Sequence, residues 1–277
     1  MVDLHTHSTY SDGSYTPKDL MEYAHQNGLK AIALTDHDDI GGLKEAEEKA
    51  CELGIQFIPG VELEVQYTGG EFHLLGLAIS KNLTRFEEVL QDIQTKRKNR
   101  NNYIIEKIQA AGIKVSLKDI EKYAGGNIIS RLHFAHFLIA YGLTKTVKQA
   151  FAKYLNPGKP FYVAKEVLTL KKALKLIKES DGKSIVAHPF TLRLSWIKLK
   201  KYLLGCKEAG LDGIEAYHPD IAREEGRKLE SFGRDHDLII TAGSDFHGKN
   251  RAERLLGFSS SGMEIEDRFS FPFLPNK

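Results

Sequence analysis

Apolar and polar positions along this chain follow two periods, and the switches between them mark out the elements. Val2, Leu4 and Thr6 alternate with Asp3, His5 and His7, the repeat of a strand, in which residues i and i+2 share a face. A helix follows: Thr16-Pro17 supplies a capping residue and a first-turn proline, Leu20, Met21 and Ala24 form its apolar side, and Gly28 ends it. Ala31–Leu34 is a short apolar strand running into Thr35-Asp36-His37, and a second helix extends through Glu52 to a stop at Gly54. Phe57–Val65 reads as a strand broken by Pro59-Gly60, and Phe72–Ile79 as another. Strand, helix, strand, helix and two strands in this order is the rhythm of a parallel α/β sheet.

At Lys81 that rhythm stops. Phe86, Val89, Leu90 and Ile93 begin a long helical pattern over 83–111, and shorter ones cover 117–123, 130–141 and 146–154 before Asn156-Pro157-Gly158. Beyond this block the alternation resumes, with helices at 169–180, 196–208 and 220–235 and strands at 184–187, 213–216 and 238–241. The pattern predicts one α/β domain from residues 1–80 and 161–277, interrupted by a mainly helical insertion over 81–160. A chain of 277 residues is long enough for such a barrel, since eight-stranded examples need about 250.

The predicted strands deliver polar residues at their C-terminal ends, where parallel sheets place their chemistry. His5 and His7 lie side by side on the first strand with Asp12 just past its end, His37 follows the second, and Glu62 and His73 lie on the third and fourth. The last three deliver His188-Pro189, Glu215 through His218, and Gly243-Ser244-Asp245-Phe246-His247. Burying His5, His7, Asp12, His37, Glu62, His73, His188, Asp245 and His247 together without partners would cost roughly 1–3 kcal/mol per group. Metal ions resolve that cost, because imidazole and carboxylate suit Zn²⁺, Mn²⁺ or Fe²⁺, with Mg²⁺ also admissible. Nine such side chains divide into two or three ions, with a carboxylate such as Glu62 as the bridge.

Composition narrows the alternatives. Two cysteines, Cys51 and Cys206, give neither a disulfide framework nor a Cys-based zinc knuckle. No apolar run approaches the ~18 residues of a membrane span, and the first strand begins almost at Met1, so a cytoplasmic protein without a leader is expected. There is no Walker loop and no Gly-x-Gly-x-x-Gly. The net charge of +2 conceals an asymmetry: residues 81–165 hold 16 Lys/Arg and 6 Asp/Glu, a net +10, which leaves −8 elsewhere. A basic segment in an acidic chain faces a phosphorylated ligand or polyanion, or is a solvated lysine-rich surface.

Taken in order, Asp-Leu-His-Thr-His-Ser…Ser-Asp-Gly (3–13), Thr-Asp-His (35–37), Gly-Val-Glu (60–62), Phe-His (72–73), Ala-His-Pro (187–189) and Gly-Ser-Asp-Phe-His (243–247) resemble the PHP (polymerase and histidinol phosphatase) family of metal-dependent phosphoesterases. The resemblance implies a distorted (β/α)7 TIM-like barrel and a trinuclear site. One ion would take His5, His7, Glu62 and Asp245, a second Glu62, His73 and His188, and a third Asp12, His37 and His247. Ser130-Arg131-Leu132-His133-Phe134-Ala135 is similar to an Arg-Pro-His-x-Ala signature of the stand-alone nucleotide-phosphatase branch, with Leu132 in place of Pro. It implies substrate contacts from Arg131 and His133, while His218 would sit by the phosphate or leaving group. Asp12, Glu62 and His218 are the catalytic residues expected on this basis. Asp36 and Asp38 read as supports of His37 or helix caps.

The implied activity is hydrolysis of phosphate monoesters of small metabolites, nucleotides first: nucleoside monophosphates, 3′,5′-bisphosphates, or short RNA or DNA cut as a 5′→3′ exonuclease. No membrane or protein partner is implied. A histidinol-phosphatase-type enzyme, an amidohydrolase acting on C–N bonds, and a non-catalytic PHP module are the rival readings.

Overall fold

A computed structural model of the chain describes residues 1–124 and 128–273. Seven strands form one sheet in chain order: β1 Val2–Asp3, β2 Ala31–Leu34, β3 Gln56–Glu64, β4 His73–Leu77, β5 Lys183–Val186, β6 Gly213–Tyr217 and β7 Ile239–Ala242. Its edges are drawn together beyond the strand ends, where Leu4 N–H donates to Ala242 O (3.3 Å), His7 N–H donates to Phe246 O (2.9 Å), and Thr6 bridges Phe246 in parallel. The result is the nearly closed, TIM-like barrel that the resemblance implies. Its strands are filled by Leu4, Ile32, Leu34, Ile58, Leu63 and Leu75, all essentially without exposure.

β3 and β4 depart from the sequence expectation in pairing. β4 runs antiparallel to both β3 and β5, while the other neighbouring pairs are parallel. Only residues 65–72 join β3 to β4, and a parallel return needs a crossover of a dozen residues or more. The short connection therefore forces a hairpin. β3 is also continuous through Pro59-Gly60, because the strand changes partners there. Its first half, to Pro59, pairs with β2, and its second, from Gly60, pairs with β4. Proline is tolerated where a ladder is handed over, since its missing N–H removes no bond from either side.

The helices that cover the barrel obey local rules. α1 (Pro17–Gln26) is capped by Thr16, whose Oγ accepts from Asp19 N–H at 3.1 Å. α2 (Leu43–Leu53) ends at Gly54 in the left-handed region, φ 70°. α3 (Leu83–Ala110) leaves the compact unit formed by residues 1–88 and 167–277 and runs into a second, 89–166. That unit holds α4 (Leu117–Glu121), α5 (Arg131–Ala140) and α6 (Val147–Ala150) around its own core of Ile104, Ile108, Phe134, Leu138 and Leu155. α7 (Leu170–Glu179), α8 (Trp196–Glu208) and α9 (Arg223–Asp235) return to the first unit. Among the described residues, no helix is long and apolar enough to cross a membrane.

Candidate active site

The first strand is shorter than its alternation suggests. It ends at Asp3, and His5 and His7 stand on the extended segment beyond it. Their rings still lie side by side, centroids 5.2 Å apart, because the Thr6–Phe246 bridge keeps that segment extended. Both Nε2 atoms face Glu62 Oε2, at 3.2 and 3.3 Å, and Asp245 Oδ1, at 3.5 and 3.0 Å. Glu62 also has His37 Nδ1 at 3.0 Å, His73 Nδ1 at 2.8 Å and His188 Nε2 at 3.0 Å. Asp12 faces His247 Nε2 at 3.1 Å and His37 Nε2 at 3.9 Å. All nine strand-end residues thus converge on one rim.

Among the described residues, three overlapping groups have the spacing of metal ligands: His5, His7, Glu62 and Asp245; His7, Asp12, His37 and His247; and His37, Glu62 and His73. His188 belongs to none of these sets, although it touches Glu62. The donors are also oriented for the task. His5 Nδ1 lies 3.0 Å from Glu215 Oε1 and His247 Nδ1 2.7 Å from the Asp245 carbonyl, so each Nδ1–H is used and each Nε2 faces the centre. Six buried atoms at this centre make no hydrogen bond: Nε2 of His5, His7 and His247, Asp12 Oδ1, Glu62 Oε2 and Asp245 Oδ1. Cations are the natural complement to such a set.

The charges fit the same account. Burial alone would raise the Glu62 carboxyl, but His37, His5 and His73 hold it well below the usual carboxylate range. Asp12, opposed by burial in the same way, is held well below by His37 and His247. Burial pulls His37 well below the ordinary imidazole value, and pulls His188 and His247 to about 4. His5 goes the other way: against burial, Glu62 and Glu215 push it up to about 10.

Behind these side chains stands a set of supporting residues, of which sequence reading gave a role only to Asp36 and Asp38. Asp3 accepts from Ser244 N–H and Oγ–H (3.0 and 2.5 Å) and from Gly257 N–H (2.8 Å), and burial lifts its carboxyl to about 6. Asp36 accepts from Ser8 N–H at 2.8 Å, Ser8 Oγ–H at 2.6 Å and Ser11 Oγ–H at 2.5 Å, which fixes the turn that carries Asp12. Asp38 accepts from Glu64 N–H at 3.3 Å and so supports β3. Glu215 bonds His5 and accepts from His188 N–H at 2.7 Å. Arg254, buried, bonds Asp245 and donates to Asp220 at 2.7 Å. Backbone strain gathers at the same place: His188 and Asp245 have φ of 27° and 50°.

His218, buried beside Asp245, accepts from Asp220 N–H at Nδ1 (3.0 Å) and places Nε2 3.4 Å from Asp245 Oδ2. Burial, helped by Arg254 and outweighing Glu215, pulls its ring to about 4. It is therefore a neutral imidazole near pH 7, with Nδ1 accepting and its Nε2–H turned toward Asp245 Oδ2. Arg131 and His133 lie in the other compact unit. The Arg131 guanidinium sits over the rings of Phe151 and Tyr162 (5.7 and 5.8 Å), and Ser130 N–H donates to His133 Nδ1 at 3.1 Å, closing a capping box at the start of α5.

Residues 3–167 match the family model described as PHP domain. The chain belongs to the PHP family. Relatives of this PHP chain include a 5′-3′ exoribonuclease of Haemophilus influenzae, 34% identical over 88% of this chain and 89% of the relative. A 3′,5′-nucleoside bisphosphate phosphatase of Chromobacterium violaceum is 33% identical over 92% and 90%. Among solved structures, one from Chromobacterium violaceum, named an amidohydrolase with bound sulfate and no metal, aligns with TM-score 0.79 at 31% identity, over 96% of this chain and 92% of that one. Another, from Bifidobacterium adolescentis and provisionally named a metal-dependent phosphoesterase, aligns with TM-score 0.79 at 26% identity, over 98% and 94%.

Proposed function

We propose that this PHP-family phosphoesterase hydrolyses phosphate monoesters of nucleotides, using divalent ions held by His5, His7, Asp12, His37, Glu62, His73, His188, Asp245 and His247. The convergence of six orphaned buried donor atoms around Glu62, Asp12 and Asp245 carries this reading. Three ions are the proposed complement. Mixed nitrogen and oxygen ligation suits Zn²⁺, Mn²⁺ and Fe²⁺, with Mg²⁺ admissible. Divalent ions there would make water a stronger nucleophile and neutralise charge building on the phosphoryl oxygens.

The protein's part is to hold and orient. Glu215 fixes the His5 tautomer, Asp36 fixes the turn bearing Asp12, and Arg254 holds one oxygen of Asp245 so that the other faces His5 and His7. Neutral His218 would turn a hydrogen-bond donor from Asp245 toward the leaving oxygen or the phosphate. Arg131 and His133 are proposed as phosphate contacts, where a guanidinium fork fits best. Arg131→Ala is expected to lower kcat/KM about a hundredfold at unchanged metal content, and Arg131→Lys to recover part; wild-type kcat/KM on all phosphorylated substrates would remove Arg131 from the site.

Nucleotides are favoured because both curated relatives named above act, by name, on nucleotide or RNA phosphoesters. A short oligonucleotide end is the second form of this substrate, favoured by the +10 segment over 81–165. A cytoplasmic setting is proposed with it. The decisive experiment is a panel of nucleoside monophosphates, 3′,5′-bisphosphates, histidinol phosphate, short RNA and amides, assayed with Mn²⁺ for released phosphate and ammonia. Phosphate from nucleotides supports the proposal; ammonia alone would move the chain to C–N hydrolysis.

Metal uptake should depend on pH in a defined direction. Metal-free His5, held up at about 10, carries a proton at neutral pH that must leave when Nε2 binds an ion. Raising the pH removes this competitor, so apparent affinity should climb about tenfold per unit between pH 6 and 8. Chelator competition at several pH values measures it, and a flat profile would exclude His5 as a protonated ligand.

A further inference from the structure

The ligand set accounts for the phosphate end of a substrate and leaves the rest of the molecule without a place. Next to His188 lies a cavity of about 230 Å³, lined by Glu71, His188, Phe190, Arg193, Asp220 and Ile221. It is smaller than the roughly 300–1,000 Å³ of pockets that enclose a whole drug-sized ligand, so it suits one ring system of a larger molecule. Its lining mixes apolar Phe190 and Ile221 with polar and charged side chains. Phe190 is half-buried, lines the cavity and makes no ring contact with another aromatic among the described residues.

The walls are fixed by the backbone that positions the ligands. Glu71 N–H donates to Thr191 O (3.0 Å), Arg193 N–H to Phe190 O (3.0 Å) and Ile221 N–H to His218 O (2.9 Å). Thr191 Oγ lies 3.1 Å from His188 Nδ1 and 3.0 Å from the Glu71 carbonyl. The short turn Pro189–Leu192 thus joins a metal-type ligand at one end to the cavity at the other. Arg193, left-handed at φ 55°, closes the turn.

We infer that this cavity is the subsite for the nucleobase, with Phe190 as the stacking surface and Glu71 and Asp220 as acceptors for the N–H and O–H groups of base and sugar. The inference rests on the nucleotide phosphatase reading and adds a specificity element to it. An aromatic platform recognises the flat face common to all bases, so the subsite favours nucleotides over sugar phosphates while discriminating little among bases.

The test compares kcat/KM for AMP with kcat/KM for ribose 5-phosphate, the same ester without its base, in the wild type and in Phe190→Ala, Phe190→Leu and Phe190→Trp. The AMP to ribose 5-phosphate ratio should fall about ten- to a hundredfold in the Ala and Leu variants and return in Trp, at unchanged metal content. Adenosine should inhibit competitively and lose potency in the same order. An unchanged ratio in a folded Phe190→Leu protein overturns the subsite, as does equal loss on both esters, which marks a structural role. A wild type that turns over neither ester, nor any phosphate ester of the broader panel, overturns the phosphatase reading and the subsite with it; good turnover with an unchanged ratio removes the subsite alone.

Discussion

Glu62→Gln should abolish turnover, by about four orders of magnitude or more, and strip the protein of most of its metal. Five imidazoles, from His5, His7, His37, His73 and His188, lie within 2.8–3.3 Å of its two oxygens. The substitution keeps the shape and removes the charge that these rings face, and it replaces one acceptor oxygen by an N–H₂ that repels a cation and any imidazole N–H. Loss at a shared bridge weakens neighbouring ions together, so the effect should exceed that of replacing a ligand at one edge, such as His73. Metal analysis of the purified variant, set beside its turnover number, checks this. A metal-replete Glu62→Gln enzyme with substantial activity would mean that the centre does not depend on the bridge.

Gly243→Ala should be nearly as damaging, although glycine is no ligand. A methyl at this position would lie 2.2 Å from His5 Cβ, 2.8 Å from Glu215 Oε1 and 3.0 Å from His5 N. Backbone and a fully buried ion pair surround it, so His5 or Glu215 has to move. Overpacking of this kind costs roughly 1–3 kcal/mol, and the displaced imidazole takes its metal with it. We expect a lower Tm, lost metal and kcat reduced about a thousandfold. Gly205→Ala is the matched control: it lies within α8 with nothing within 4 Å of the added carbon, and should raise stability by about 0.5–1 kcal/mol. Equal Tm values for wild type and Gly243→Ala would show that this contact is not tight.

What the sequence revealed was the part written in repeated local signals. Each candidate ligand sits at or just beyond a strand, beside a small or turn-forming neighbour, and six such places in order point to one rim. The direction of β4 was less visible, because an apolar run looks alike in parallel and antiparallel ladders. The eight-residue link before it was the available clue. What Asp3, Asp36 and Glu215 hold was hidden for another reason. Their partners, Ser244, Ser8 with Ser11, and His5 with His188, lie up to 241 residues away, and no local spacing announces such a pair. Arg254 carries still less signal: one arginine in a charged loop, distinguished only by being buried against Asp245 and Asp220. Strand continuity through Pro59 depended on which neighbour each half of β3 would meet, a property of the whole sheet.

The seam at which Thr6 meets Phe246 has a consequence for biosynthesis. The residues it brings together come from opposite extremes of the chain, so a nascent polypeptide carries His5, His7, Asp12, His37, Glu62 and His73 long before it acquires His188, Asp245 and His247. Until the seventh strand has emerged from the ribosome and laid itself beside the first, no ion can find the enclosed coordination offered by His5, His7, Glu62 and Asp245. On the ligand set proposed above, cations met earlier would find only an open, solvated half-set, and metallation would be the closing event of maturation.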